Sequence, residues 1–102
     1  MVSWISPEEL DYALESGEEL YLIDLRNKES YEQGHIRGAV SILYKELGNS
    51  LSQLPQNRPL VLYCNYGSTS MRACQDLDGY GYQTMSLYGG IMNYHGNYIV
   101  DR

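Results

Sequence analysis

The run Val61-Leu62-Tyr63-Cys64-Asn65-Tyr66-Gly67-Ser68-Thr69-Ser70-Met71-Arg72 holds the residues best suited to chemistry. An apolar strand ends on a cysteine, a short loop of small and polar residues follows, and a helix begins near Ser70. That order sets a thiol at the carboxyl end of a strand and against a helix N-terminus. Unpaired backbone N–H groups and the positive end of the helix dipole hold anions there. The same field favours a thiolate, so Cys64 is expected to have a depressed pKa and to be nucleophilic. A reactive sulfur beside an anion cradle points to a small anionic or sulfur-bearing substrate.

The elements that must position this loop can be traced along the chain. Ser6-Pro7-Glu8-Glu9 reads as a helix start, with Ser6 as N-cap, Pro7 at the first helical position and Glu9 completing a capping box. Ile5 can staple to Leu10, and Gly17 supplies a left-handed stop. Leu20 to Leu25 is an apolar run of strand length, as in a strand buried on both faces. A short helix over Lys28 to Gln33 ends at Gly34, and a shorter strand spans Ala39 to Ile42. Tyr44 to Leu54 is weakly helical, and Pro55 to Pro59 forms a turn. Leu60 to Tyr63 is the third strand. The helix from about Ser70 to Asp78 carries Met71, Cys74 and Leu77 on one face and ends at Gly79. Met85 to Leu87 is a fourth strand, and Gly89-Gly90 opens a last short helix. Strands alternating with helices in this way predict an α/β fold with a mainly parallel central sheet covered by helices on both faces. Ligands of such sheets sit beyond the carboxyl ends of the strands, where Cys64 lies.

The whole chain sets further bounds. Its 102 residues fit one domain over 1–102, and a net charge of −6 argues against nucleic acid and anionic membrane as partners. No apolar run reaches membrane-spanning length, and the first residues lack the pattern of a signal peptide. Two cysteines are too few for a disulfide framework, so a soluble protein of the reducing cytoplasm is expected; the expected oligomeric state is a monomer or weak dimer. No cluster has metal-ligand spacing, so neither metal nor cofactor is assigned. Eleven tyrosines and no phenylalanine imply that tyrosine does the packing work with its hydroxyl at the surface. Cys74 is read as core packing, with a resolving thiol as the other reading. His35 is read as structural and His95 as exposed.

These residues resemble the rhodanese-like, or sulfurtransferase, domain over nearly the whole chain. Leu22-Ile23-Asp24-Leu25-Arg26 followed by Tyr31-Glu32-Gln33-Gly34-His35-Ile36-Arg37-Gly38-Ala39 is similar to that family's N-terminal signature. Leu60 to Cys64, with Gly67 and Ser70 beyond it, is similar to the active-site loop. Gly89-Gly90-Ile91 and Tyr94 resemble the closing motif. The resemblance implies a rhodanese-like fold and sulfane-sulfur transfer through a Cys64 persulfide, from thiosulfate or a persulfide donor to a thiol, cyanide or protein acceptor. Asn65, Tyr66, Gly67, Ser68, Thr69 and Ser70 would bind the substrate, with Arg72 assisting from the first helical turn. Asp24 and Arg26 would hold the strand end and its loop. Family loops commonly carry arginines where this chain has Asn65 and Thr69, so weak binding of a doubly charged donor is expected. Two other readings are a non-catalytic binding or regulatory module of this fold, and a cysteine-dependent phosphatase or arsenate reductase. The latter needs a guanidinium six residues after the cysteine, where this chain has Ser70.

Overall fold

In the computed structural model, which describes residues 3–101, the chain runs β1 (Ser3–Ile5), α1 (Pro7–Glu15), β2 (Tyr21–Asp24), α2 (Lys28–Gln33), β3 (His35–Ile36) and β4 (Val40–Ser41). A 3-10 helix, Tyr44–Gln53, leads into β5 (Leu60–Tyr63), α3 (Ser68–Asp78) and β6 (Thr84–Leu87). A 3-10 turn, Ile91–Asn93, precedes β7 (Ile99–Val100).

Five strands form one sheet in the order β1-β6-β5-β2-β4, and every pairing in it is parallel. The apolar runs expected as buried strands are its centre: β5 lies between β2 and β6, with Asp24 level with Tyr63. Alternation of side chains across the strands divides the core in two. Ile23, Leu60 and Leu62 pack with Ala73, Cys74 and Leu77 of α3 and with Leu47 of the 3-10 helix. Leu22, Val61, Tyr63 and Leu87 pack on the opposite face with Leu10 of α1, Ile36 and Tyr94. Helices therefore cover both faces, as the sequence pattern requires.

Local signals explain the ends of α1. Ser6 Oγ accepts from the Glu9 N–H at 3.0 Å, Glu9 Oε1 accepts from the Ser6 N–H at 2.8 Å, and Gly17 has φ +72°. Two pairings lie outside the sequence reading. Ser3–Ile5 adds the edge strand beside β6, and His35–Ile36 pairs antiparallel with Ile99–Val100. Helix α3 also starts two residues earlier than expected, at Ser68, and Met71 is half-buried while Ser70 and Ala73 take the buried face.

Four of the tyrosines depart from expectation as well. Tyr63 is fully buried and its oxygen accepts from the Ile36 N–H at 3.0 Å. Tyr82 donates to the Leu51 carbonyl at 2.7 Å, Tyr31 to the Ala39 carbonyl at 2.6 Å, and Tyr94 to Asp11 at 2.5 Å. These hydroxyls are internal ties between segments distant in sequence, a task phenylalanine cannot perform. His35 is buried, stacked on Tyr31 with ring centroids 3.7 Å apart, and its Nδ1 lies 2.8 Å from the Tyr31 carbonyl; His95 is exposed.

Candidate active site

Cys64 follows β5 directly, at the carboxyl end of the central strand, and is 7 % exposed. The next residues turn sharply. Gly67, at φ +108°, occupies the N-cap of α3, a position that favours glycine and provides no capping side chain of its own. The sulfur supplies the missing acceptor. The Gly67 N–H lies 3.1 Å from Sγ and the Ser70 N–H 3.3 Å from it, so two backbone donors converge on one atom. Ser70 Oγ stands 3.6 Å from Sγ. Burial of Cys64 works against ionisation. The Ser70 hydroxyl and the amides of Ser70, Gly67 and Thr69 more than offset it, and hold the thiol below its ordinary pKa. The arrangement stabilises a thiolate poised as a nucleophile.

Beneath the sulfur lies a small buried polar cluster. Ser70 Oγ sits 3.1 Å from the Gly67 carbonyl and 2.7 Å from Ser86 Oγ of β6, and both serines are fully buried. Nothing in the sequence singles out Ser86: a serine in a short strand reads as a solvent-facing residue.

The loop is also clamped from the C-terminal side. The Ile91 N–H donates to the Cys64 carbonyl at 2.9 Å and the Met92 N–H to the Asn65 carbonyl at 3.0 Å. Gly90 (φ +69°, ψ −171°) makes this approach possible, because a Cβ there would strike the Asn65 carbonyl and lie 2.6 Å from the Tyr66 nitrogen. The Gly89-Gly90 pair thus does more than open a turn; it lets one backbone rest directly on another.

A depression of about 370 Å³ opens over Cys64, between the loop and the segment Leu25 to Asn27 that follows β2. Asn65, Tyr66, Ser68 and Thr69 line it, while Gly67 and Ser70 are buried and are not among its lining residues. Arg26 is the one lysine or arginine among its lining residues. Its guanidinium holds the fully buried Asp24 carboxylate through Nη2 at 2.7 Å and Nε at 3.0 and 3.2 Å, and Nη2 also donates to the Gly34 carbonyl at 2.6 Å. Burial opposes the charge on Arg26, but Asp24 prevails and raises its pKa. Asp24 and Arg26 thus tie the end of β2 to the start of β3, and Arg26 also borders the cavity beside Cys64, a proximity that 37 intervening residues hide in the sequence.

Arg72 does not join this group. It is exposed on α3 and is not among the residues lining the depression; its charge acts on Tyr44 instead. Helix geometry gives the reason, since a residue two positions beyond the inward-facing Ser70 is rotated by about 200°. Cys74 is fully buried in α3, and burial pushes its thiol up to about 11, with the Thr84 hydroxyl opposing. A larger groove of about 600 Å³ between the 3-10 helix and α3 does not include Cys64.

Comparison with known proteins converges on one family. Residues 6–97 match the family profile of the rhodanese-like domain. A sulfurtransferase of Allochromatium vinosum is 35 % identical over 104 residues, covering 98 % of this chain and 96 % of that protein. The thiosulfate sulfurtransferase GlpE of Shewanella oneidensis is 35 % identical over 75 residues, covering 72 % of this chain and 74 % of its own length. The crystal structure of a rhodanese-like domain protein from Staphylococcus aureus superposes with a TM-score of 0.90 over 100 % of this chain and 99 % of that one. At 22 % identity, that likeness speaks for the fold alone.

Proposed function

The chain belongs to the rhodanese-like domain family, and from that premise we propose that it is a sulfurtransferase in which Cys64 carries sulfane sulfur as a persulfide. The carrying observation is the convergence of the Gly67 and Ser70 amides on Sγ, with the Ser70 hydroxyl beside them. The Cys64 thiolate attacks the outer sulfur of thiosulfate or the terminal sulfur of a persulfide. A bond forms from Sγ to the transferred sulfur as the donor's own bond to that sulfur breaks. Sulfite, or the donor thiolate, departs with the electron pair. In the second half-reaction cyanide, a thiol or a protein thiolate takes the terminal sulfur, and Cys64 leaves as the thiolate it began as. The loop amides hold charge on sulfur in both steps without reorganising.

Asn65, Tyr66, Ser68 and Thr69 line the substrate cavity, and Arg26 is its cation. Residues 1–102 act as one rhodanese-like unit, working on small sulfur compounds or on persulfides borne by other proteins. No helix among the described residues is long and apolar enough to cross a membrane. The loop from Asn65 to Ser70 contains no guanidinium to clamp a tetrahedral dianion, so the phosphatase reading has no residue to carry it. Intact mass before and after exposure to thiosulfate or a low-molecular-weight persulfide tests the proposal. One added sulfur on Cys64, removed by cyanide, is the expected result; a mass unchanged by either donor would overturn it.

A further inference from the structure

The buried serine pair beneath Cys64 has a direction that follows from counting protons. Ser86 Oγ is fully buried, and its one hydrogen-bond partner among the described residues is Ser70 Oγ at 2.7 Å. A hydroxyl has one proton to place. If Ser70 donated to Ser86, the Ser86 proton would be left in the core without an acceptor, the costly arrangement that folded proteins avoid. The Ser86 proton therefore goes to Ser70. While Cys64 is a thiol it donates to Ser70 Oγ at 3.6 Å and the Ser70 proton goes to the Gly67 carbonyl at 3.1 Å; once the thiol has lost its proton, Sγ becomes a second destination for the Ser70 proton.

We infer that Ser86 is a positioning residue: by donating to Ser70, it reserves the Ser70 proton for the Cys64 sulfur whenever that sulfur is charged. With a neutral thiol or a persulfide at Cys64, Sγ is a weak acceptor and the Ser70 hydroxyl turns to the Gly67 carbonyl. As Sγ becomes a thiolate, the hydroxyl rotates toward it, and the incoming bond from Ser86 polarises the Ser70 O–H. No proton leaves any oxygen; only the Ser70 rotor changes partner. In sulfur transfer, and so resting on the reading above, this stabilises Cys64 as the leaving group when an acceptor takes the terminal sulfur.

The sign of a measured change tests the inference without any sulfur chemistry. Alkylation of Cys64 by iodoacetamide, quantified at that site by mass spectrometry across pH, gives the midpoint of thiol ionisation. In Ser86→Ala the midpoint rises, and at a fixed pH below it the thiolate fraction falls roughly three- to tenfold, as for weakening one hydrogen bond. In a Ser70→Ala background the same substitution changes nothing further, because the hydroxyl it acts through is gone. Ser86→Cys, of similar shape but a weaker donor, gives an intermediate midpoint and serves if the alanine variant does not fold. A midpoint that falls in Ser86→Ala would mean Ser70 had been donating to Ser86. That result, an unchanged midpoint, or an equal shift with Ser70 absent overturns the inference. A wild type that shows the Ser86 dependence yet accepts no sulfur from thiosulfate or a persulfide would refute the sulfur-transfer reading alone and leave the serine chain standing.

Discussion

Gly90→Ala should damage the site from outside it. Gly90 sits at φ +69° and ψ −171°, a region open almost solely to glycine, and its Cα rests against the Asn65–Tyr66 peptide. An alanine Cβ would strike the Asn65 carbonyl and come within 2.6 Å of the Tyr66 nitrogen; both are backbone atoms that cannot rotate away. The unfavourable backbone region costs about 1–3 kcal/mol. Relieving the clash strains the bonds from Ile91 and Met92 to the Cys64 and Asn65 carbonyls, each worth about 1 kcal/mol. Together these give a loss of roughly 3–5 kcal/mol of stability if both bonds are lost. A loop displaced by about 1 Å should also lower kcat/KM for sulfur transfer by about a hundredfold. Gly17→Ala is the control: Gly17 has φ +72° but nothing within 4 Å of where a Cβ would stand. That variant should lose about 1–2 kcal/mol and no activity. Urea unfolding with kcat/KM for both variants decides the matter. If Gly90→Ala keeps wild-type activity, or if the two variants lose activity alike, the packing of Gly90 on the loop does not hold the site.

Cys64→Ser should abolish sulfur transfer with the fold intact, whereas Cys74→Ser should keep most activity with some loss of stability; equal losses in two folded variants, read by circular dichroism and turnover, would indicate a dithiol mechanism. Thiosulfate should be a poor, high-KM donor beside a persulfide, because a missing charge-assisted contact costs about 1.5–3 kcal/mol, or roughly ten- to more than a hundredfold in affinity. Asn65→Arg should therefore raise kcat/KM for thiosulfate more than for a persulfide, and equal gains would refute that account. Stability should fall in alkali: burial raises Cys74 from 9.0 to about 11 and also raises Tyr63 and Tyr94 above 10.0, helped by Asp24 and Asp11 respectively. The folded chain then keeps protons the unfolded chain releases, so stability is full below about pH 9 and declines from pH 9 to 11; a urea midpoint equal at pH 7 and pH 10.5 would contradict this.

What the sequence displays is what local physics decides. The capping box at Ser6, the stop at Gly17 and the apolar runs of β2 and β5 act through near neighbours, and each is found where it reads. The cysteine loop is legible for the same reason, since strand, turn and helix follow one another directly. Pairings of two or three residues, such as β1 with β6 or β3 with β7, have too short a run to show periodicity and exist through tertiary packing. The approach of Arg26 to the cavity, the seat of Gly90 on Asn65 and the burial of Ser86 bring together residues far apart in the chain. Arg72 shows the converse: near in sequence, it is carried away by the turn of its own helix.

The edge strand brings one further property. Trp4 is the one tryptophan in the chain, and it meets Tyr88 edge-on, with centroids 5.5 Å apart. Both border a depression of about 470 Å³ shared with Tyr66, Gly67 and Ser68 of the cysteine loop. The indole is 42 % exposed, so its emission reports on water at that spot. The protein therefore contains a single indole at the rim of its reactive loop, which can be excited at the red edge of the absorption band, where the eleven tyrosines absorb little. Loop movement, or a molecule settling beside it, can be followed by light in the unlabelled native chain.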